Sequence, residues 1–157
     1  MLFRRAMIPL LALLLAATPA RTLYADVAWA AFARDGRCEA VGRAQRVITN
    51  RAEQAHASFA FDRGRHGQFA VQLSHVAAPG ATVMLTISDQ PFLLAAGGLF
   101  AWSRGPAQDA AIIAAVRRAN LLIIEARSAS GGRFVDSYSL EGAPGAIDAA
   151  AACAAGP

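Results

Sequence analysis

A period-two alternation of bulky apolar residues with smaller or polar ones most strongly limits how this chain can fold. Segment 69–73 places Phe, Val and Leu at every second position, and segment 83–87 does the same with Val, Leu and Ile. Because successive side chains on a strand point to opposite faces, each segment is typical of a strand with one buried face. Pro79-Gly80 lies between them and predicts a turn.

Similar short segments recur along the chain, separated by turn residues such as Asp35-Gly36 and Gly97-Gly98. The other expected strands are 26–33, 38–41, 59–61, 92–94, 99–102, 121–128 and 134–140. Alternating strand–helix units are absent from the pattern, so we expect a mainly β fold, an antiparallel sandwich or partly open barrel. We expect three aromatic residues in its core: Phe92, Trp102 and Tyr138.

Two segments have a helical pattern instead. Gly105-Pro106 opens a run of alanines with isoleucine and valine at helical spacing, and proline is favoured at the first helical position. This predicts one inserted helix over 106–118. A short C-terminal helix is expected over 144–153, with Ile147 as its main apolar contact. The helices should cover an end or an edge of the sheet.

The N-terminus has the pattern of an export signal. Arg4 and Arg5 precede an apolar stretch over 6–17, which is shorter than the roughly 20 residues that span a bilayer. Small residues follow, and cleavage is expected after Ala20, with Ala25 as the second choice. We therefore expect a signal peptide over 1–20, a single domain over 21–157, a periplasmic or secreted location and no transmembrane segment after cleavage.

The charge of the chain changes with this cleavage. The full sequence has 15 basic and 11 acidic residues, and removing Arg4 and Arg5 leaves 13 against 11. Such a mildly basic domain gives no reason to expect a nucleic-acid partner. The excess lies in residues 21–65, with eight arginines and five acids. That part could meet an anionic surface such as lipid headgroups, or its arginines could form an ordinary solvated face.

The chain has two cysteines, Cys38 near the start of the expected domain and Cys153 near its end. In an oxidising compartment two lone cysteines usually pair, so we expect a Cys38–Cys153 disulfide. Two buried thiols are the alternative. Two cysteines are too few for a four-cysteine zinc site.

Candidate catalytic and metal-binding residues are few. His56, His66 and His75 lack the spacing of a metal-binding motif, so no metal site is expected. Ser74-His75 with Asp89 supplies the residue types of a hydrolytic triad. Adjacent residues on one strand point to opposite faces, however, which predicts that Ser74 does not hydrogen-bond His75 in the way a triad requires. We expect no catalytic residues and no cofactor.

Three residues crowd one predicted loop over 62–67: Arg63, Arg65 and His66. A loop of this composition can contact an anion or a partner. The alternative is a solvated turn without a ligand.

Segment 83–148 resembles the C-terminal half of the invasion-associated locus B family of bacterial proteins. The similarity lies in Asp89-Gln90-Pro91-Phe92, Ala101-Trp102, Asp136-Ser137-Tyr138-Ser139-Leu140 and the terminal Cys153. This chain departs from the family pattern at Ser130-Gly131-Gly132-Arg133. The resemblance implies an exported protein with an immunoglobulin-like β-sandwich, for which the family defines no catalytic residues.

The leading hypothesis is thus a non-enzymatic exported envelope protein that binds an envelope component or a host protein through a sheet edge or loop surface. The alternative is a small periplasmic metal-binding protein or hydrolase that uses His66 and His75. A third hypothesis is a structural envelope factor without a ligand.

Overall fold

A computed structural model describes residues 18–51 and 54–156. Most of the expected signal peptide, residues 1–17, lies outside the described residues. The described elements are β1 (Arg21–Ala25), β2 (Trp29–Arg34), β3 (Arg37–Arg43), β4 (His56–Phe61), β5 (His66–Gln72), β6 (Val83–Ile87), β7 (Gln90–Gly97), β8 (Phe100–Trp102), α1 (Pro106–Val116), β9 (Leu121–Arg127), β10 (Arg133–Ser139) and α2 (Ala143–Ala155).

The strands form one antiparallel sheet in the order β1-β2-β3-β4-β5-β8-β7-β6-β9-β10. The sheet bends back on itself, since its last strand approaches the second and third. The amide of Gln45, just after β3, donates to the carbonyl of Ser137 in β10 (2.8 Å), and the indole of Trp29 donates to the carbonyl of Ser139 (2.7 Å). The predicted mainly β, antiparallel, sandwich-like fold is confirmed.

Both predicted helices are present. The inserted helix α1 begins at Pro106 as expected and ends at Val116, two residues earlier than predicted. Its buried Asp109 accepts a hydrogen bond from the Phe69 amide (2.9 Å), which fixes α1 against β5. The C-terminal helix α2 packs against β1 to β5, and Ile147 is buried as expected. Within the described ranges, neither helix is long and apolar enough to cross a membrane.

The predicted disulfide is confirmed. Cys38, buried in β3, is bonded to Cys153 near the end of α2, with a Cα–Cα distance of 6.1 Å. The bridge closes a loop across a sequence separation of 115 residues. It fixes the C-terminal helix to the strands that begin the domain.

The expected strand over 26–33 is wrong in its first part. Asp26 forms a turn instead: its carboxylate accepts from the Val27 amide (2.8 Å), and its own amide donates to the Trp29 carbonyl (2.9 Å). This turn joins β1, which the pattern did not predict, to β2. Val27 is consequently exposed rather than packed in the sheet.

The expected core is correct for Phe92 and Tyr138, which are buried, and wrong for Trp102, which is 39% exposed. The small Ala101 between Phe100 and Trp102 is the residue of β8 that points inward. The tryptophan of the core is Trp29, 1% exposed, whose ring occupies the space left by the missing side chain of Gly42.

Candidate functional site

The larger of two described surface cavities lies where the β2–β3 turn meets the β4–β5 turn, and we call it the arginine groove. Its volume is about 810 Å³. Its lining residues are Ala20, Phe32, Arg34, Asp35, Gly36, Arg37, Glu39, Asp62, Arg63 and Arg65. Two hairpin turns thus bring together four arginines from sequence positions nearly thirty residues apart.

Two of these arginines are held by neighbouring carboxylates. Arg65 forms a salt bridge with Asp62 and also donates to it through Nε (2.8 Å), and Arg37 contacts Glu39 at 3.3 Å. The hydrogen bond from Arg65, followed by the backbone amide of Gly64, lowers the pKa of the Asp62 carboxyl to about 2. Asp62 therefore stays ionised, and its carboxylate also accepts from the backbone amides of Gly64 and Arg65 within the β4–β5 turn (2.9 Å each).

The other two arginines of the groove, Arg34 and Arg63, make no ion pair with any residue in the described ranges. Asp35 is the third acid of the groove, so the lining carries four arginines against three acids. The groove is therefore mixed in charge with a small positive excess, and that excess resides on side chains free to meet an anionic group.

The structure brings two of the three predicted contact residues together. Arg63 and Arg65 line the arginine groove, whereas His66 does not. His66 is the exposed first residue of β5, opposite Phe61 across a β-bulge. The sequence reasoning missed Arg34 and Arg37, although their positions on either side of the Asp35-Gly36 turn signal could have suggested them.

The second cavity, of about 540 Å³, lies beside β10, and we call it the serine–histidine pocket. Its lining includes Ser74, His75, Ser130, Phe134 and Asp136. The hydroxyl of Ser74 is 2.9 Å from Nδ1 of His75. Strand alternation does not apply to these neighbours, because β5 ends at residue 72. The contact nevertheless joins the hydroxyl to Nδ1, whereas the serine of a hydrolytic triad contacts Nε2.

The surroundings of Ser74 hold its backbone in place. Its amide donates to the buried carboxylate of Asp136 (2.9 Å), and its carbonyl accepts from the guanidinium of Arg51. The His75 ring stacks at a tilt against Phe134, with centroids 5.3 Å apart. No carboxylate in the described ranges hydrogen-bonds to His75, and Asp89 does not line this pocket. The geometry provides a serine–histidine pair without the third member of a triad.

The structure does not bring His66 and His75 together. His66 is the first residue of β5 and His75 lies three residues beyond its end, and the six steps of the strand alone, at about 3.3 Å each, span roughly 20 Å. His56 lies on β4, where its ring contacts the Gln54 carbonyl at 3.1 Å. Residues 18–51 and 54–156 contain no group of three histidines, cysteines or acids that could hold a metal ion.

No protein-family model, curated protein or solved structure matches this chain. The resemblance to the invasion-associated locus B family stays a prediction from the motifs.

Proposed function

We propose that this chain is an exported, non-enzymatic bacterial envelope protein, similar to the invasion-associated locus B family, that binds an anionic envelope component through the arginine groove. The observation that carries the proposal is that Arg34 and Arg63 make no ion pair in the described residues, in a cavity whose other two arginines are held by acids. Arginine is well suited to this role because its planar guanidinium matches the oxygens of a phosphate or carboxylate.

Export is supported by the N-terminal pattern and by the disulfide, which persists in oxidising compartments. Cleavage after Ala20 leaves β1 intact, whereas cleavage after Ala25 removes the whole strand. Loss of β1 would also remove Tyr24, whose ring lies against Gly145 of α2.

The intact mass of the protein from a periplasmic extract tests the export step. We expect a chain that starts at Arg21 and takes two alkyl groups only after reduction. A full-length precursor with two free thiols would contradict export. A chain that starts at Asp26 would contradict the structural role given to β1.

A double variant tests the binding step. Arg34→Gln with Arg63→Gln should weaken cosedimentation with phosphatidylglycerol vesicles about 30-fold, since each arginine near an anionic surface contributes about 1 kcal/mol. The matched control, Arg46→Gln with Arg118→Gln, removes the same charge from exposed arginines outside the groove. Equal losses of vesicle binding in the two variants would show that binding depends on total charge and not on the arginine groove, and would refute the proposal.

One observation favours a second candidate, a hydrolase centred on His75. Ser74 lies in a cavity and is hydrogen-bonded to His75, so it would be the nucleophile of such a hydrolase. The expected site of His66 and His75 contains no nucleophile. A fluorophosphonate probe should label Ser74 if it is activated, and the Ser74→Ala variant should then stay unlabelled. Absence of labelling in the native protein would reject this candidate.

A further inference from the structure

Two aromatic side chains of β8 point out of the sheet into solvent. Phe100 is 51% exposed and Trp102 is 39% exposed, while Ala101 between them is buried. Large exposed aromatic residues adjacent on one face are uncommon unless that face contacts something. Trp102 was expected in the core from its size and apolarity, so its exposed position calls for an explanation.

The residues that surround these two rings have small side chains. Trp102 lies opposite Ala70 of β5 and Ala95 of β7, and its six-membered ring reaches over Gly97, where an added Cβ would be 3.5 Å from it. The two rings therefore stand above their neighbours. We call this surface, formed by the outward residues of β5, β8 and β7, the aromatic face.

The aromatic face carries no charge. Its outward residues are Gln68, Ala70, Pro91, Leu93, Ala95, Gly97, Phe100 and Trp102, whereas Gln72, which pairs with Phe100, is buried. The β-bulge between β4 and β5 pairs His66 with the inward Phe61, which removes the histidine from this set. An uncharged face of this kind suits an apolar or interfacial environment.

The aromatic face and the arginine groove belong to one side of the sheet. The row that contains Trp102 continues through Ala70, Ser58 and Val41, and the row beside it includes Phe32 and Glu39, which line the groove. Three strand spacings of about 4.8 Å separate β3 from β8, so the two surfaces lie roughly 14 Å apart.

We propose that this side of the sheet docks on an anionic lipid bilayer, with Trp102 and Phe100 entering the interface while Arg34 and Arg63 contact lipid phosphates. The proposal rests on the proposed function and names its partner. Charge complementarity selects the occupant: tryptophan favours the boundary between headgroups and acyl chains, and arginine favours anionic headgroups. Neither surface alone indicates a membrane, but their placement on one side of the sheet does.

Tryptophan fluorescence tests the docking, because the chain has two tryptophans in different environments. Trp29 is buried and its indole donates a hydrogen bond to the Ser139 carbonyl, so it serves as an internal reference. Phosphatidylglycerol vesicles should shift the emission of Trp102 to the blue and protect it from acrylamide. Pure phosphatidylcholine vesicles should leave the spectrum unchanged. The Trp102→Phe variant should show no shift while still cosedimenting with the anionic vesicles.

A variant that lacks the Phe100 ring tests how much the aromatic face contributes to the affinity for anionic vesicles. Phe100→Ser should weaken cosedimentation about tenfold, since it removes apolar area from the interface. Val47→Ser is the matched control because it removes an exposed apolar residue outside the aromatic face. Unchanged melting temperatures would show that both variants remain folded.

The outcomes separate this inference from the proposed function. Groove-dependent cosedimentation without a change in Trp102 would overturn the docking face and leave anion binding in place. No cosedimentation at all would overturn the membrane partner in both. A blue shift that depends on protein concentration without vesicles would show that a second copy of the chain covers the face, and would also overturn the proposal.

Discussion

Removal of the disulfide tests how the two ends of the domain stabilise each other. In the chain-entropy model, a bridge across a sequence separation of 115 residues restricts the unfolded chain by about 4.8 kcal/mol at 25 °C, as an upper estimate. A domain of this size loses about 2–4 °C of melting temperature per kcal/mol, so the full effect corresponds to a decrease of about 10–20 °C. The double variant Cys38→Ala with Cys153→Ala is preferable because it leaves no unpaired thiol.

The assay is thermal unfolding followed by circular dichroism, with and without reducing agent. The oxidised native protein should melt highest, and the reduced native protein should match the double variant. Reducing agent should not change the variant, which controls for other effects of the reductant. A variant that melts within 2 °C of the oxidised protein, which corresponds to about 0.5–1 kcal/mol or less, would refute the reasoning.

Two other changes probe the packing and the groove. Gly42→Ala should lower the free energy of unfolding by about 1–3 kcal/mol, because the new methyl overlaps the Trp29 ring. In the control Gly132→Ala the new methyl faces open space, so the free energy of unfolding should change by less than about 0.5 kcal/mol. Equal effects of the two variants in urea unfolding would contradict this packing. The depressed pKa of Asp62 contributes stability above the ordinary carboxyl pKa that is lost as the pH falls from about 4 towards 2. Carboxyl NMR should give a pKa near 2 for Asp62 and a higher one after Arg65→Gln, and an unshifted pKa in the native protein would remove this role for Arg65.

Local patterns in the sequence predicted most of the fold because each depends on neighbouring residues. The period-two segments became β5 and β6, and Gly105-Pro106 opens α1. β1 was missed because it directly follows the expected cleavage site and contains little alternation. Trp102 was placed in the core because size and apolarity do not reveal which face of a short strand is covered.

The candidate site was predictable only where its residues are close in sequence. Arg63 and Arg65 share one turn, so their proximity could be read directly. Arg34 joins them through the pairing of β3 with β4, which depends on sheet order and not on local spacing. The Ser74–His75 contact depended on where β5 ends, and a strand end is poorly marked when the following residues are polar.

The position of α2 has a consequence for the order in which the molecule can assemble. The helix α2 covers strands β1 to β5, all of which are synthesised before it, and the Cys38–Cys153 bridge joins the same two regions. Strands β1 to β5 therefore emerge with an apolar face uncovered, and that face stays uncovered until α2 has been synthesised. Contacts of such long sequence separation form slowly. Compaction of this part of the domain therefore waits until residues 143–155 have been synthesised.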